Sequence, residues 1–329
     1  VDEGHRGSSG KEVGRWMDAR RRLCEKGFSF EYSATFGQAM KASSNKKLEQ
    51  EYAKCILFDY SYKYFYRDGF GKDYNIFNLA DDSDDEKRQL YLTACLVAFY
   101  QQLRLYEDKS ADFRPFLLEK PLWVFVGGSV KAVRTQNKRK VSDVVDILLF
   151  LAEFVKEKRH TISLLERLKD GKPGLLNQRN HEIFANAFGY LSKCGLGAEQ
   201  TYNDILKMLF NSDNPAKLHV LNLKGTDGEI ALRLGENKDF GLINVGDASA
   251  LCKLCEDHPD YLVVDDKEFA GSLFGNLSST DSTINVLIGS KKFTEGWNSW
   301  RVSTMGLMNV GKSEGSEIIQ LFGRGVRLR

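Results

Sequence analysis

Pro121-Leu-Trp-Val-Phe-Val-Gly127 is an unbroken apolar run that closes on Gly127-Gly128-Ser129. A strand with one wet face alternates apolar and polar residues. This one does not, so it reads as a central strand buried on both faces. Its glycine tip suits a close approach of backbone to a ligand. Downstream, Val144, Val145, Ile147, Leu148, Leu151 and Phe154 recur at helical spacing, which predicts a helix over about 142–157. Strand, turn and helix in that order open an α/β domain, placed here to begin near 116.

Working outward, residues 160–212 read as helices only, with turn signals at Gly171-Lys-Pro-Gly174 and Gly195-Leu-Gly197. Strand-like segments return at 218–223, 229–233, 240–245 and 284–288, then a strand at 302–310 and a helix from about 315. The expectation is a domain over 116–329 with a helical insertion at about 160–215. Upstream, a helix is expected over 11–26, with Trp16, Leu23 and Cys24 apolar and Gly27 as its stop. Phe28-Ser-Phe-Glu-Tyr-Ser-Ala34 alternates like a strand. From about 44 to 110 the pattern is helical and rich in aromatics, among them Tyr60, Tyr62, Tyr64, Phe65 and Tyr66. At that spacing they read as core ahead of a base-stacking platform. Asp81-Asp82-Ser83-Asp84-Asp85-Glu86 reads as a solvated helix entrance, where carboxylates face the positive end of the dipole. Residues 1–115 would thus be one segment and 116–329 another.

Composition narrows the function. The chain has 329 residues, enough for two domains at roughly 100–200 residues each. Lys+Arg number 47 and Asp+Glu 45, a net charge of +2 that gives no bulk electrostatic case for nucleic acid, so any such role must rest on particular residues. Hydrophobic residues at 42% exclude wholesale disorder. No window reaches the roughly 18 consecutive apolar residues of a membrane helix. The six Cys are too sparse for a disulfide scaffold, so reduced thiols and a cytoplasmic address are expected. Cys252-Lys-Leu-Cys255 with His258 has the spacing of half a zinc site, but the ligand count fails. Ala248–His258 reads instead as a short amphipathic helix with Leu251 and Leu254 inward. Asn276-Leu-Ser278 is a glycosylation sequon by pattern only.

Four short motifs carry the chemistry. Val1-Asp2-Glu3-Gly4-His5 places D-E-x-H after an apolar residue, a pattern in which Asp can hold Mg²⁺ and Glu can orient an attacking water. Ser33-Ala34-Thr35 follows the next strand-like stretch. Phe293-Thr-Glu-Gly-Trp-Asn298 follows the strand at 284–288. Gln320-Leu-Phe-Gly-Arg324-Gly-Val-Arg327 is assigned to the last helix, where i, i+3 spacing would aim both guanidinium groups at one phosphate.

This order resembles motifs II, III, V and VI of the DExH/DEAD-type superfamily 2 helicases, closest to the type III restriction enzyme Res-subunit branch. The resemblance implies RecA-like parallel-sheet domains, the end of the first and the core of the second, with ATP between them. It implies Asp2 on Mg²⁺ through water, Glu3 as catalytic base, and His5 and Gln320 linking the nucleotide to the second domain. Ser33 and Thr35 would couple hydrolysis to movement of nucleic acid. Thr294, Glu295 and Gly296 would touch the nucleic-acid backbone and the nucleotide side, and Gly128 and Ser129 a backbone phosphate. Arg324 and Arg327 would be arginine fingers. The implied partners are nucleic acid, DNA ahead of RNA, and a methyltransferase or specificity subunit, with no membrane.

Two departures qualify the expectation. The Gly-rich phosphate loop should precede Asp2, so the chain reads as an internal fragment, expected to be inactive alone. Gly306-Leu-Met-Asn-Val-Gly311-Lys312-Ser313 matches G-x-x-x-x-G-K-S, but Gly306 falls inside an apolar strand and bulky residues fill the loop. The rival readings are an RNA or repair helicase of the same superfamily and a non-catalytic RecA-like interaction module.

Overall fold

The computed structural model describes residues 13–37, 50, 52–81, 84–127, 134–136, 139–171, 173–268, 271–289, 297–308 and 316–328. They divide into two compact units. One gathers the described residues up to Asp73 together with those from Ser316 to Leu328, and the other is Tyr74–Met308. The sequence reading drew its boundary near 116, whereas the helix Asp85–Asp108 lies in the same unit as the sheet. Its Phe99 ring sits 5.5 Å from that of Trp123.

The larger unit is built on a seven-stranded sheet. In chain order its strands and those of a small hairpin are β1 (Leu122–Gly127), β2 (Arg134–Gln136), β3 (Arg139–Val141), β4 (Leu218–Leu223), β5 (Glu229–Leu234), β6 (Gly241–Asn244), β7 (Leu262–Lys267), β8 (Val286–Gly289) and β9 (Val302–Met308). The sheet order is β7-β4-β5-β6-β8-β1-β9, and β2 pairs only with β3. Only β5 runs against its neighbours in the large sheet. This is the expected α/β class, compatible with a RecA-like sheet. β1 is buried along its whole length and flanked by β8 and β9, so the unbroken apolar run is an interior strand as read.

One face of the sheet holds the main core. Trp123, Phe125, Val220, Ile230, Leu232, Ile243, Val286 and Ile288 pack there with side chains of the helices Asp85–Asp108, Asp143–Lys156, Lys158–Lys169, Ala198–Phe210 and Ala248–Cys255. Leu164, Leu168, Tyr202, Ile205 and Leu209 belong to that core. The helices of the 160–215 stretch thus pack into the sheet's own core, and their standing as an insertion remains an expectation. The entrance at Asp84 is as expected, since its carboxylate accepts from the N–H groups of Glu86 and Lys87. β7 was not anticipated: its second half, Asp265-Asp266-Lys267, is exposed on the sheet edge and hides the apolar pattern. The basic segments Arg134–Gln136 and Arg139–Val141 pair antiparallel as β2 and β3.

The smaller unit departs further from expectation. The helix at its start runs Val13–Leu23. Residues 28–34 form no strand, because no described segment pairs with them, and Phe28, Phe30 and Tyr32 stay exposed. The expected helical run over 44–110 is broken. Between Tyr62–Arg67 and Asp85–Asp108 the chain is irregular, and Gly69 turns it with a positive φ. The helix Tyr62–Arg67 buries no residue, so the aromatics at 60–66 are not the core that their spacing suggested. Among the described residues no helix is long and apolar enough to cross a membrane.

Candidate functional site

The carboxyl ends of parallel strands are where α/β sheets bind ligands. Here four such ends meet. Val126 of β1 and Asn244 of β6 are both in register with Gly289, the last residue of β8. Gly127 is in register with Met308, the last residue of β9. The strands leading to Gly128-Ser129 and to Thr294-Glu295-Gly296 therefore finish side by side. Those five residues, and Asp2, Glu3 and His5, lie outside the described residues.

Ser33 and Thr35 are placed by a local network. Arg20, from the helix Val13–Leu23, forms an ion pair with Glu31 at 2.6 Å in which both side chains are largely buried. Tyr52 donates to the same carboxylate at 2.9 Å and accepts a hydrogen bond from Arg20. Burial is the main cause holding the Tyr52 hydroxyl above its ordinary pKa, so it remains a donor. Just past the anchored Glu31, the Thr35 N–H donates to Ser33 Oγ at 3.0 Å, and Thr35 is fully buried. Sequence order alone suggested this segment as a coupling element. The turn it makes comes from the Ser side chain folding back on its own backbone.

Gln320, Arg324 and Arg327 lie in the same unit as Ser33 and Thr35, and one part of the expectation fails. The helix runs Ser316–Gly325, so Arg327 lies beyond it and the i, i+3 helical argument does not apply. Gly323 and Gly325 are poor helix formers at the point where the chain leaves the helix. Arg327 instead forms an antiparallel bridge with Gly71. On either side, the Lys72 N–H donates to Val326 O at 2.6 Å and the Leu328 N–H to Phe70 O at 2.9 Å. Gly71 is needed there: a Cβ would come 3.1 Å from Tyr66 Cα and 3.3 Å from two aromatic rings. The Tyr62 ring, 5.3 Å from Phe322, ties the aromatic segment to the helix itself. The two arginines are nonetheless near each other. Arg324 has its pKa lowered first by burial and then by the neighbouring positive charge of Arg327. Two like charges held together in a partly buried place favour an anion beside them.

Sequence reasoning missed two buried charged residues at the margins of the sheet, Glu229 level with the carboxyl ends of β6 and β8 and Arg301 at the amino ends of β1 and β9. Glu229, at the start of β5, is buried and accepts from Ser272 Oγ at 2.6 Å and from the N–H groups of Leu273 and Phe274 at 2.8 and 3.1 Å. Arg301, just before β9, is buried and donates to the carbonyls of Lys120, Leu277 and Ile284. Burial pulls its pKa down to about 10, which leaves it a cation at neutral pH. The available signal was a lone charge bordering an apolar strand.

The rival phosphate loop loses its first glycine. Gly306 lies within β9, in register with Phe125, and a Cβ there would come 2.5 Å from that ring. Glycine serves a close strand contact at this position; the remainder, 309–313, lies outside the described residues. Cys252 and Cys255 sit in the core, where burial pushes their thiols up to about 11 and about 12. Among the described residues no cluster of three or more His, Cys, Asp or Glu could hold a metal ion. Compared with protein-family models, curated proteins and solved structures, the chain has no match.

Proposed function

We propose that this chain is part of an ATP-dependent DNA helicase or translocase of restriction-modification or related defence type. The observation that carries the reading is the pairing of Arg324 with Arg327. Each guanidinium has planar, fixed donors suited to phosphate oxygens, and the partly buried setting strengthens their attraction for an anion. On this reading they stabilise charge developing on the terminal phosphate, and Gln320, one helical turn before Arg324, senses the same nucleotide. Asp2 would hold Mg²⁺ through water, and the ion would neutralise phosphate charge. Glu3 would accept the proton of the attacking water. The juxtaposed ends of β1 and β8 support the assignment of 128–129 and 294–296 to nucleic-acid contact.

The test is steady-state ATP turnover by the full-length protein, with and without DNA or RNA. DNA is expected to stimulate turnover more than RNA. Arg327→Ala is expected to lower kcat by about 10³-fold or more, the effect of removing an arginine finger. Turnover unchanged in that variant would refute the finger role, and RNA stimulation above that by DNA would move the substrate to RNA.

A further inference from the structure

We infer that the exposed aromatic strip of the smaller unit, Phe58, Tyr60 and Tyr64 with Arg67 among them, is a stacking platform for the bases of a single-stranded nucleic acid. That the occupant is a nucleic acid rests on the function proposed above; the open stacking surface does not.

The spacing of these rings pointed to core, and the structure leaves them outside it. The helix Tyr62–Arg67 buries no residue, and Phe58, Tyr60 and Tyr64 are all exposed. Each is nonetheless fixed by a neighbour. The Phe58 ring stacks on that of Tyr60 at 5.7 Å with the planes 14° apart. The Tyr60 hydroxyl donates to Asp68 at 2.7 Å, and the Arg67 Nε donates to the other oxygen of that carboxylate at 3.4 Å. The Arg67 guanidinium in turn lies 5.1 Å from the centre of the Tyr64 ring. Three rings and one cation thus form a single line of contacts on the surface. Phe58 is stacked on one side and still 79% exposed, so its other side is open.

The polar content of the strip decides what fits it. A protein interface gathers apolar side chains at its centre and keeps charges at its rim. Here Lys63 and Arg67, both exposed, stand four residues apart on the short helix that carries Tyr64, so cations sit among the rings. Asp68 is taken up in fixing Tyr60 and Arg67. Between Phe58 and Arg67 the two cations outnumber the one carboxylate, Asp59. A single strand complements that mixture: its bases stack on rings whatever their identity, and its phosphates take the cations between them. A duplex hides the faces of its bases, so the surface selects the unpaired strand.

The strip also leads to the arginine pair. The Tyr60 ring meets Phe65 at 6.3 Å, and Phe65 meets Phe70 at 5.8 Å. Phe70 O accepts from the Leu328 N–H, and Gly71 bridges Arg327. A strand lying on the rings would bear on the segment that supplies the backbone partner of Arg327.

The experiment is fluorescence anisotropy with full-length protein and no nucleotide, using a labelled single-stranded DNA of mixed sequence and an abasic strand of equal length. Phe58→Ser and Tyr64→Ser are each expected to weaken binding of the mixed strand by about 5- to 100-fold, the effect of losing one base–aromatic stack. Binding of the abasic strand should stay as in wild type. Phe58→Trp should restore the affinity, and its added tryptophan emission should be quenched by the mixed strand and not by the abasic one. Arg67→Gln should reduce the slope of log affinity against log salt by about 0.7, the share of one phosphate contact. In turnover assays the DNA concentration giving half-maximal stimulation should rise in Phe58→Ser. Wild-type affinity for the mixed strand in both serine variants overturns the platform. So does an equal loss for the abasic strand, which would mean a distorted surface rather than a lost stack. A changed sedimentation coefficient in Phe58→Ser, with DNA affinity unaltered, would give the face to a second copy of the chain. Base-dependent binding by a protein that never hydrolyses ATP would leave the platform standing and sink the proposed function. DNA-stimulated turnover with the same half-maximal concentration in Phe58→Ser would do the reverse.

Discussion

Leu122-Trp-Val-Phe-Val126 and Ile56-Leu-Phe-Asp-Tyr60 are of similar length and both are dominated by large apolar side chains, yet they meet opposite fates. In the first, Trp123 is 1% exposed; in the second, Leu57 and Phe58 are 82% and 79% exposed. Hydrophobicity does not separate them. The first lies between β8 and β9, which satisfy its backbone on both edges, and helices cover its Trp123 and Phe125. The second has no strand beside it among the described residues; Phe58 stacks on Tyr60 at 5.7 Å, and the Tyr60 ring meets only that of Phe65, at 6.3 Å, beyond the run. A chain cannot bury apolar side chains unless its N–H and C=O groups are also paired. Backbone partners therefore decide which apolar run becomes core.

The sharpest way to break this comparison is Trp123→Ala. The ring packs 4.6 Å from Phe125 and 5.5 Å from Phe99, so its removal leaves a cavity in the interior of the sheet. A loss of about 3–5 kcal/mol is expected in denaturant unfolding, with an unchanged m-value. A loss below about 1 kcal/mol would place β1 at a surface and undo the fold assignment. Gly306→Val comes next. The new side chain collides with the Phe125 ring, so a loss of about 1–3 kcal/mol is expected, typical of overpacking. ATP affinity should not change with it. A selective loss of ATP binding with stability intact would restore the phosphate-loop reading of 306–313.

The same contrast explains what could be read in advance. Strands β1, β4, β5, β6, β8 and β9 were legible as short, mainly apolar runs, the mark of interior strands, and the helix Asp143–Lys156 because its buried residues repeat at helical spacing. β7 was not, since the charged half of this edge strand faces solvent. The candidate site was inferred from an order of motifs, and that order carried no signal for two features around it. Arg327 leaves the helix because Gly71 offers it a strand partner about 250 residues away in the chain, a pairing that no local pattern encodes. Glu229 and Arg301 were invisible for a similar reason. Their partners, Ser272 to Phe274 and the carbonyls of Lys120, Leu277 and Ile284, are distant in sequence and carry no side-chain signature.

The smallest expected effect tests the exposed run itself. Phe58→Ser removes a ring that touches Tyr60 and is otherwise open, so little water-excluded area is lost. Stability should change by no more than about 0.5 kcal/mol, as for surface substitutions away from special features. Loss of the stacked pair contributes less here than the about 0.5–1.5 kcal/mol that aromatic pairs supply in closed surroundings. Unfolding of the full-length protein followed by circular dichroism decides it. A loss above about 1 kcal/mol would mean that another part of the protein covers this face. Ile56–Tyr60 would then be a core strip whose partner lies elsewhere, and the contrast with β1 would reduce to which partner each run has.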